Sequence, residues 1–118
     1  MKNSKQYDLE DRTLEFARRV RTIVKKLSKT IGNIEDGKQV VISSGSVGAN
    51  YIEANESLSK KDFVMRIKIC RKEVKESRYW LRLLDISRSS EDEEERKTLI
   101  QEATELMNIF GSILRKSE

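Results

Sequence analysis

Two carboxylate pairs stand at i,i+3 spacing, Glu53 with Glu56 and Glu73 with Glu76. Such pairs do acid–base work when burial drives their pKa values apart. Here they lie among lysines and arginines, where surface pairing is the expected role. Cys70 is the single cysteine, and the chain contains no histidine to activate it. Without histidine the Glu-x-x-His pairs of a di-iron bundle cannot form either. The stretch from Ser43 to Asn50 holds two glycines but lacks the G-x-x-x-x-G-K-[ST] spacing of a phosphate loop. Gly45-Ser46-Val47-Gly48 has the form of a GXXG clamp, yet that clamp belongs to a mixed α/β module. Close approach of a neighbouring helix is the expected reason for these glycines. No catalytic residue, metal site or cofactor is expected.

The remaining chemistry is charge. Residues 1–34 hold nine Lys/Arg against four Asp/Glu, and residues 59–88 hold ten against four. Residues 35–58 hold one against four, and residues 89–118 four against eight. Two basic segments thus alternate with two acidic ones. A basic stripe attracts a phosphate backbone by releasing counterions. It also serves as a plain solvated face, with charges paired to acidic neighbours. The candidate nucleic-acid contacts are Arg18, Arg21 and Lys25 in the first segment. In the third they are Lys68, Arg71, Lys72, Lys75, Arg78 and Arg82.

Helical periodicity must position these groups. Leu9, Thr13, Phe16, Val20, Ile23 and Leu27 recur in steps of four and three, with Ala17, Val24 and Ile31 beside them. This spacing predicts a first helix from about Leu9 to Ile31, ending near Gly32-Asn33. Val40, Ser44, Val47, Tyr51, Ala54 and Leu58 mark a second helix. Ser59-Lys60-Lys61-Asp62 reads as a capping box opening a third, with the seam Phe63, Ile67, Cys70, Val74, Ser77, Leu81 and Leu84. Ser90-Glu91-Asp92-Glu93 reads as another, opening a fourth helix on Leu99, Ala103, Leu106, Phe110 and Ile113. Proline is absent, so nothing breaks these runs. The prediction is one all-α domain over residues 1–118, an antiparallel up-down-up-down four-helix bundle.

On a helical wheel with Phe63 at zero, Lys60, Lys61, Lys68, Arg71, Lys72, Lys75, Arg78 and Arg82 fall between roughly 60° and 180°. Met65, Ile69, Trp80 and Leu83 fall between roughly 200° and 260° on the same wheel. This second apolar face points away from the Phe63 seam and is expected to meet another subunit or partner. Scattered surface apolars are the plainer alternative.

A lone cysteine fits a reducing compartment. No apolar run reaches the ~18 residues of a membrane span. The first residues, Met1 to Asp8, show no apolar secretory core. The expected location is the cytoplasm, away from membranes.

The stretch Ser46-Val47-Gly48-Ala49-Asn50-Tyr51-Ile52-Glu53, followed by Lys61-Asp62-Phe63, Ile69 and Glu76, resembles the 23S rRNA-intervening sequence proteins. That family's signature is Ser-(Ile/Val)-x-(Ala/Ser)-Asn-x-x-Glu, then a Lys-x-Phe turn and a long helix. The chain departs from it at Gly48, Ala54 and Lys72-Glu73, as a divergent branch would. The resemblance implies a four-helix subunit of a ring-like homopentamer, without enzymatic activity. It also implies kinship with the accessory variability proteins of diversity-generating retroelements. The partners so implied are the chain itself, RNA or DNA, and a reverse transcriptase or other nucleoprotein.

Ser46, Asn50 and Glu53 lie at i, i+4 and i+7 and share one helix face. Their expected role is a hydrogen-bond network fixing helix register; lining a pore or partner surface is the alternative. Two functions follow from different classes. One is an oligomeric RNA-associated accessory protein binding phosphates through helices 1 and 3. The other is an interaction scaffold or assembly subunit that binds no nucleic acid.

Overall fold

The computed structural model describes residues 4–86 and 90–118, with side chains from residue 9 onward. Four α-helices follow in order: α1 Ser4–Lys25, α2 Ile31–Asn55, α3 Lys60–Leu83 and α4 Ser90–Lys116. Each packs on its neighbours in the chain, and α4 returns to close against α1. The short connections make neighbouring helices antiparallel, so α1 lies diagonally opposite α3. The result is the expected all-α, up-down-up-down bundle, 46 Å long. Among the described residues there is no strand.

The core consists of the predicted seams. Phe16, Val20, Val47, Val74, Leu81, Leu106 and Phe110 are buried in one cluster with Tyr51, and Phe63 packs on its edge. Tyr51 meets Phe110 with ring centroids 6.0 Å apart. Small residues let α2 and α3 approach closely. Ser77 Oγ lies 2.8 Å from Ser43 Oγ across that contact, and the Cys70 thiol donates to the Val47 carbonyl at 3.4 Å.

The first helix is shorter than its apolar series. It stops at Lys25, where the Lys26 and Leu27 amides bond the Ile23 and Val24 carbonyls in tighter turns. Thr30 then caps α2, its hydroxyl accepting from the Asn33 amide at 3.1 Å. Ile31, Gly32 and Asn33 therefore begin α2 instead of ending α1. Leu58 continues the α2 spacing but lies past the end of that helix, fully exposed. Ser59 does cap α3, accepting from the Asp62 amide at 3.1 Å. Ser90 is already helical in α4, and the residue before it lies outside the described residues. The acidic Glu91, Asp92 and Glu93 occupy the first turn of α4, where the helix dipole favours them.

The two neighbouring glycines of α2 differ. A Cβ on Gly48 would stand 2.9 Å from Thr13 Oγ1 and 3.3 Å from Thr13 Cβ, so α1 does approach closely there. A Cβ on Gly45 would meet only the Arg21 guanidinium, at an ordinary 3.4 Å. Helix proximity explains the first glycine and not the second.

Candidate nucleic-acid interface

The cations of α1 fall into two sets. Arg12, Arg19 and, one residue past the helix, Lys26 face α4, whose acidic residues take them up. Arg12 Nε donates to Glu102 at 3.0 Å, Arg19 Nε to Glu95 at 3.0 Å, and Lys26 lies 3.6 Å from Asp92. The Arg12 guanidinium is held charged by its hydrogen bond to Glu102 against partial burial. Much of the basic charge of α1 is thus neutralised within the bundle.

Arg18, Arg21 and Lys25 are exposed on the other side of α1, and none forms an ion pair among the described residues. Arg18 and Arg21 border a groove of about 510 Å³ between α1 and α2, with Gly45 and Gly48 in its lining. Arg21 also donates weakly to the Ala17 carbonyl, at 3.4 Å.

Helix α3 presents a longer row. Lys68, Arg71, Lys72, Lys75 and Arg82 are exposed, and none forms an ion pair among the described residues. Arg78 is half-buried and donates to Thr104 Oγ1 of α4 at 3.2 Å, which places the row on the α4 side of α3. Lys68 and Arg71 line a cleft of about 290 Å³ that Arg115 also borders. From Leu106 to Lys116, α4 carries no carboxylate, and Glu118 just beyond it lines the same cleft as Lys68 and Arg71. No ion pair forms between them among the described residues.

The two unpaired sets are not brought together. The α1 set borders α2 and the α3 set borders α4, so they occupy opposite sides of the bundle. One further residue belongs with the α3 row. Tyr79 is 57% exposed; its position, roughly 160° from Phe63 on the wheel, lies inside the cationic arc. That position was available from spacing, but an aromatic among lysines carries no signal in a count of charges.

The second apolar face of α3 borders α2. Met65 is 52% and Leu83 47% exposed. Ile69 is half-buried, and Trp80 reaches the rim of the core. Trp80 is therefore not wholly part of a free stripe, because its indole is wide enough to touch both. Across the same face stands Ile42 of α2, 63% exposed.

The signature residues divide their labour. Asn50 accepts from Arg66 of α3 at 3.0 Å and donates to the Ser46 carbonyl at 2.9 Å, locking α2 to α3. The Ser46 hydroxyl serves Glu73, whose carboxyl is raised above its ordinary range by burial and then by Glu76. Glu53 is exposed and outside this network. A register-fixing role thus fits Asn50 and Ser46 but not Glu53. Cys70 is fully buried, and burial pushes its thiol up to about 12. No group of metal-ligating side chains occurs among the described residues. No described helix is long and apolar enough to cross a membrane.

A family model described as 23S rRNA-intervening sequence protein matches residues 5–112. A solved structure, described as a protein with unknown function from the S23 ribosomal protein family of Bacteroides thetaiotaomicron VPI-5482, superposes with a TM-score of 0.78. It is 31% identical to the chain, over 94% of this chain and 98% of that one. No curated protein matches the sequence significantly.

Proposed function

The chain belongs to the 23S rRNA-intervening sequence protein family, and from that premise we propose a non-enzymatic RNA-associated protein that binds phosphate backbone through α3. The observation that carries this reading is the contrast between two sets of cations. Those of α1 that face α4 are matched by Glu95, Glu102 and Asp92. Those of α3 have no such partners, although α4 lies beside them too. An unneutralised row gains free energy from counterion release when it meets phosphates. Its contacts would be mainly to backbone, with little base preference.

Self-assembly through the α2–α3 face is part of the proposal, with the homopentamer favoured by family kinship. Repetition of the row in each subunit would turn modest attraction into avidity. A nucleoprotein partner such as a reverse transcriptase is compatible with it.

Reversing Lys68, Lys75 and Arg82 to glutamate tests the reading. Binding of an RNA oligomer should be lost, with helicity and particle size by light scattering unchanged. Unchanged affinity would favour the scaffold instead. Exposed Ile42, Met65 and Leu83 support that second reading, since an apolar face serves protein contacts without any RNA.

A further inference from the structure

We propose that the α3 row is a platform for single-stranded nucleic acid, on which Tyr79 stacks a base while Lys72, Lys75 and Arg82 hold neighbouring phosphates. This rests on the phosphate-binding reading above and names the form of nucleic acid that the row takes.

The argument begins with position. Lys75, Tyr79 and Arg82 follow one another in steps of four and three along α3, so they stand in line on one face. Each step advances roughly 4.5–6 Å along the helix axis. A file of cations this short follows one backbone, and the exposed ring within it is what favours a single strand, whose bases are free to stack. Within this file Tyr79 is the exposed ring, and its phenol needs no buried partner. Base–aromatic stacking between basic side chains is the recurrent means of holding single strands, and it tolerates any base.

The ring is also braced. Trp80 meets Tyr79 edge-on, with centroids 5.0 Å apart and planes at 75°. Trp80 itself packs against the core, so it forms an anchored wall beside the phenol. A braced ring loses less freedom when a base settles on it than an unsupported one. The approach to the ring is open: α4 brings Thr104 to this side, beside Arg78, and Tyr79 keeps 57% of its surface exposed.

Trp80 is the only tryptophan, so its emission reports on the ring beside it. The full chain is titrated with a uridine oligomer and with an RNA duplex of equal length, across a salt series. The oligomer should bind with a change in Trp80 emission. Tyr79→Ala should lower affinity for the single strand about tenfold, with the salt slope and the duplex affinity unchanged. Tyr79→Phe should retain wild-type affinity. Lys75→Glu should instead flatten the salt slope by about 0.7 or more.

If Tyr79→Ala binds the single strand as wild type does while Lys75→Glu weakens it, stacking is wrong and the phosphate reading stands. An equal loss on single strand and duplex also overturns stacking. If the wild-type chain binds neither form, both readings fall together.

Discussion

Asn33 and Asp85, 52 residues apart, exchange two hydrogen bonds. The Asn33 amide donates to the Asp85 carbonyl at 2.9 Å, and the Asp85 amide donates to Asn33 Oδ1 at 2.9 Å. Asn33 Nδ2 also lies 3.0 Å from the Ser28 carbonyl. One buried side chain thus ties the start of α2 to the end of α3 and to the α1–α2 connection. Asn33→Ala leaves three backbone groups without this partner. It should cost about 2–4 kcal/mol in urea unfolding. Asn33→Asp should also be destabilising, because a carboxylate cannot donate to the two carbonyls. A loss below 0.5 kcal/mol in Asn33→Ala would show that water replaces the clamp at no cost.

Gly48 and Gly45 should respond oppositely to alanine. Alanine gains about 1 kcal/mol over glycine inside a helix. At Gly45 the new methyl meets only the mobile end of Arg21, so Gly45→Ala should be stabilising by up to that amount. At Gly48 the methyl collides with Thr13, a buried β-branched residue whose Oγ1 is 2.9 Å from the Leu9 carbonyl. Gly48→Ala should therefore be destabilising in the wild-type background and less so in Thr13→Ala, which removes the 2.9 Å contact with Oγ1 but keeps the Cβ at 3.3 Å. Thermal unfolding of the four-protein cycle reads the sign directly.

These contacts mark where sequence reasoning reached and where it stopped. The four seams were legible because helical period alone selects Val47, Tyr51, Val74, Leu81 and Phe110 for the core. The α1–α2 boundary was not, since Ile31 keeps the α1 spacing while the cap depends on Thr30 and on an Asn33 whose partners are distant in sequence. Leu58 kept its phase past the end of its helix for the same reason. In the candidate interface, angular position placed Lys68, Arg71, Lys72, Lys75 and Arg82 on one arc, and all five are exposed. It could not tell which α1 cations are neutralised, because that depends on what α4 places opposite them. Arg12 and Arg18 look alike in sequence, and only Arg12 meets Glu102.

Cys70 should resist thiol reagents until the bundle unfolds. It is fully buried and its folded pKa is about 12, against an ordinary value of 9.0. The unfolded chain releases this proton from about pH 9, whereas the folded chain retains it to about pH 12. Stability present below pH 9 should therefore decline across that window, by up to about 1.4 kcal/mol per pH unit. Lysines and tyrosines titrate there as well, so the measurement is the difference between wild type and Cys70→Ala in urea unfolding at each pH. Equal slopes for the two proteins would refute it.

Assembly through the α2–α3 face can be tested without disturbing the monomer, provided Trp80 is left alone. Trp80→Ala would remove packing from the core rim and confuse lost assembly with lost stability. Met65 and Leu83 are about half exposed and lie outside the core cluster, so charge there costs the isolated bundle little. An assembled face would bury those side chains, and burying an unpaired carboxylate is heavily penalised. Met65→Asp with Leu83→Asp should therefore reduce the particle to a monomer in light scattering, while changing the unfolding free energy of the bundle by less than about 1 kcal/mol. RNA affinity should fall only by the lost avidity, because the α3 cations remain in place. A wild-type protein that is already monomeric at micromolar concentration would remove the face from the proposal. A double variant that keeps its size would move the subunit contact elsewhere on the bundle, with the Arg18, Arg21 and Lys25 side the next surface to charge-reverse.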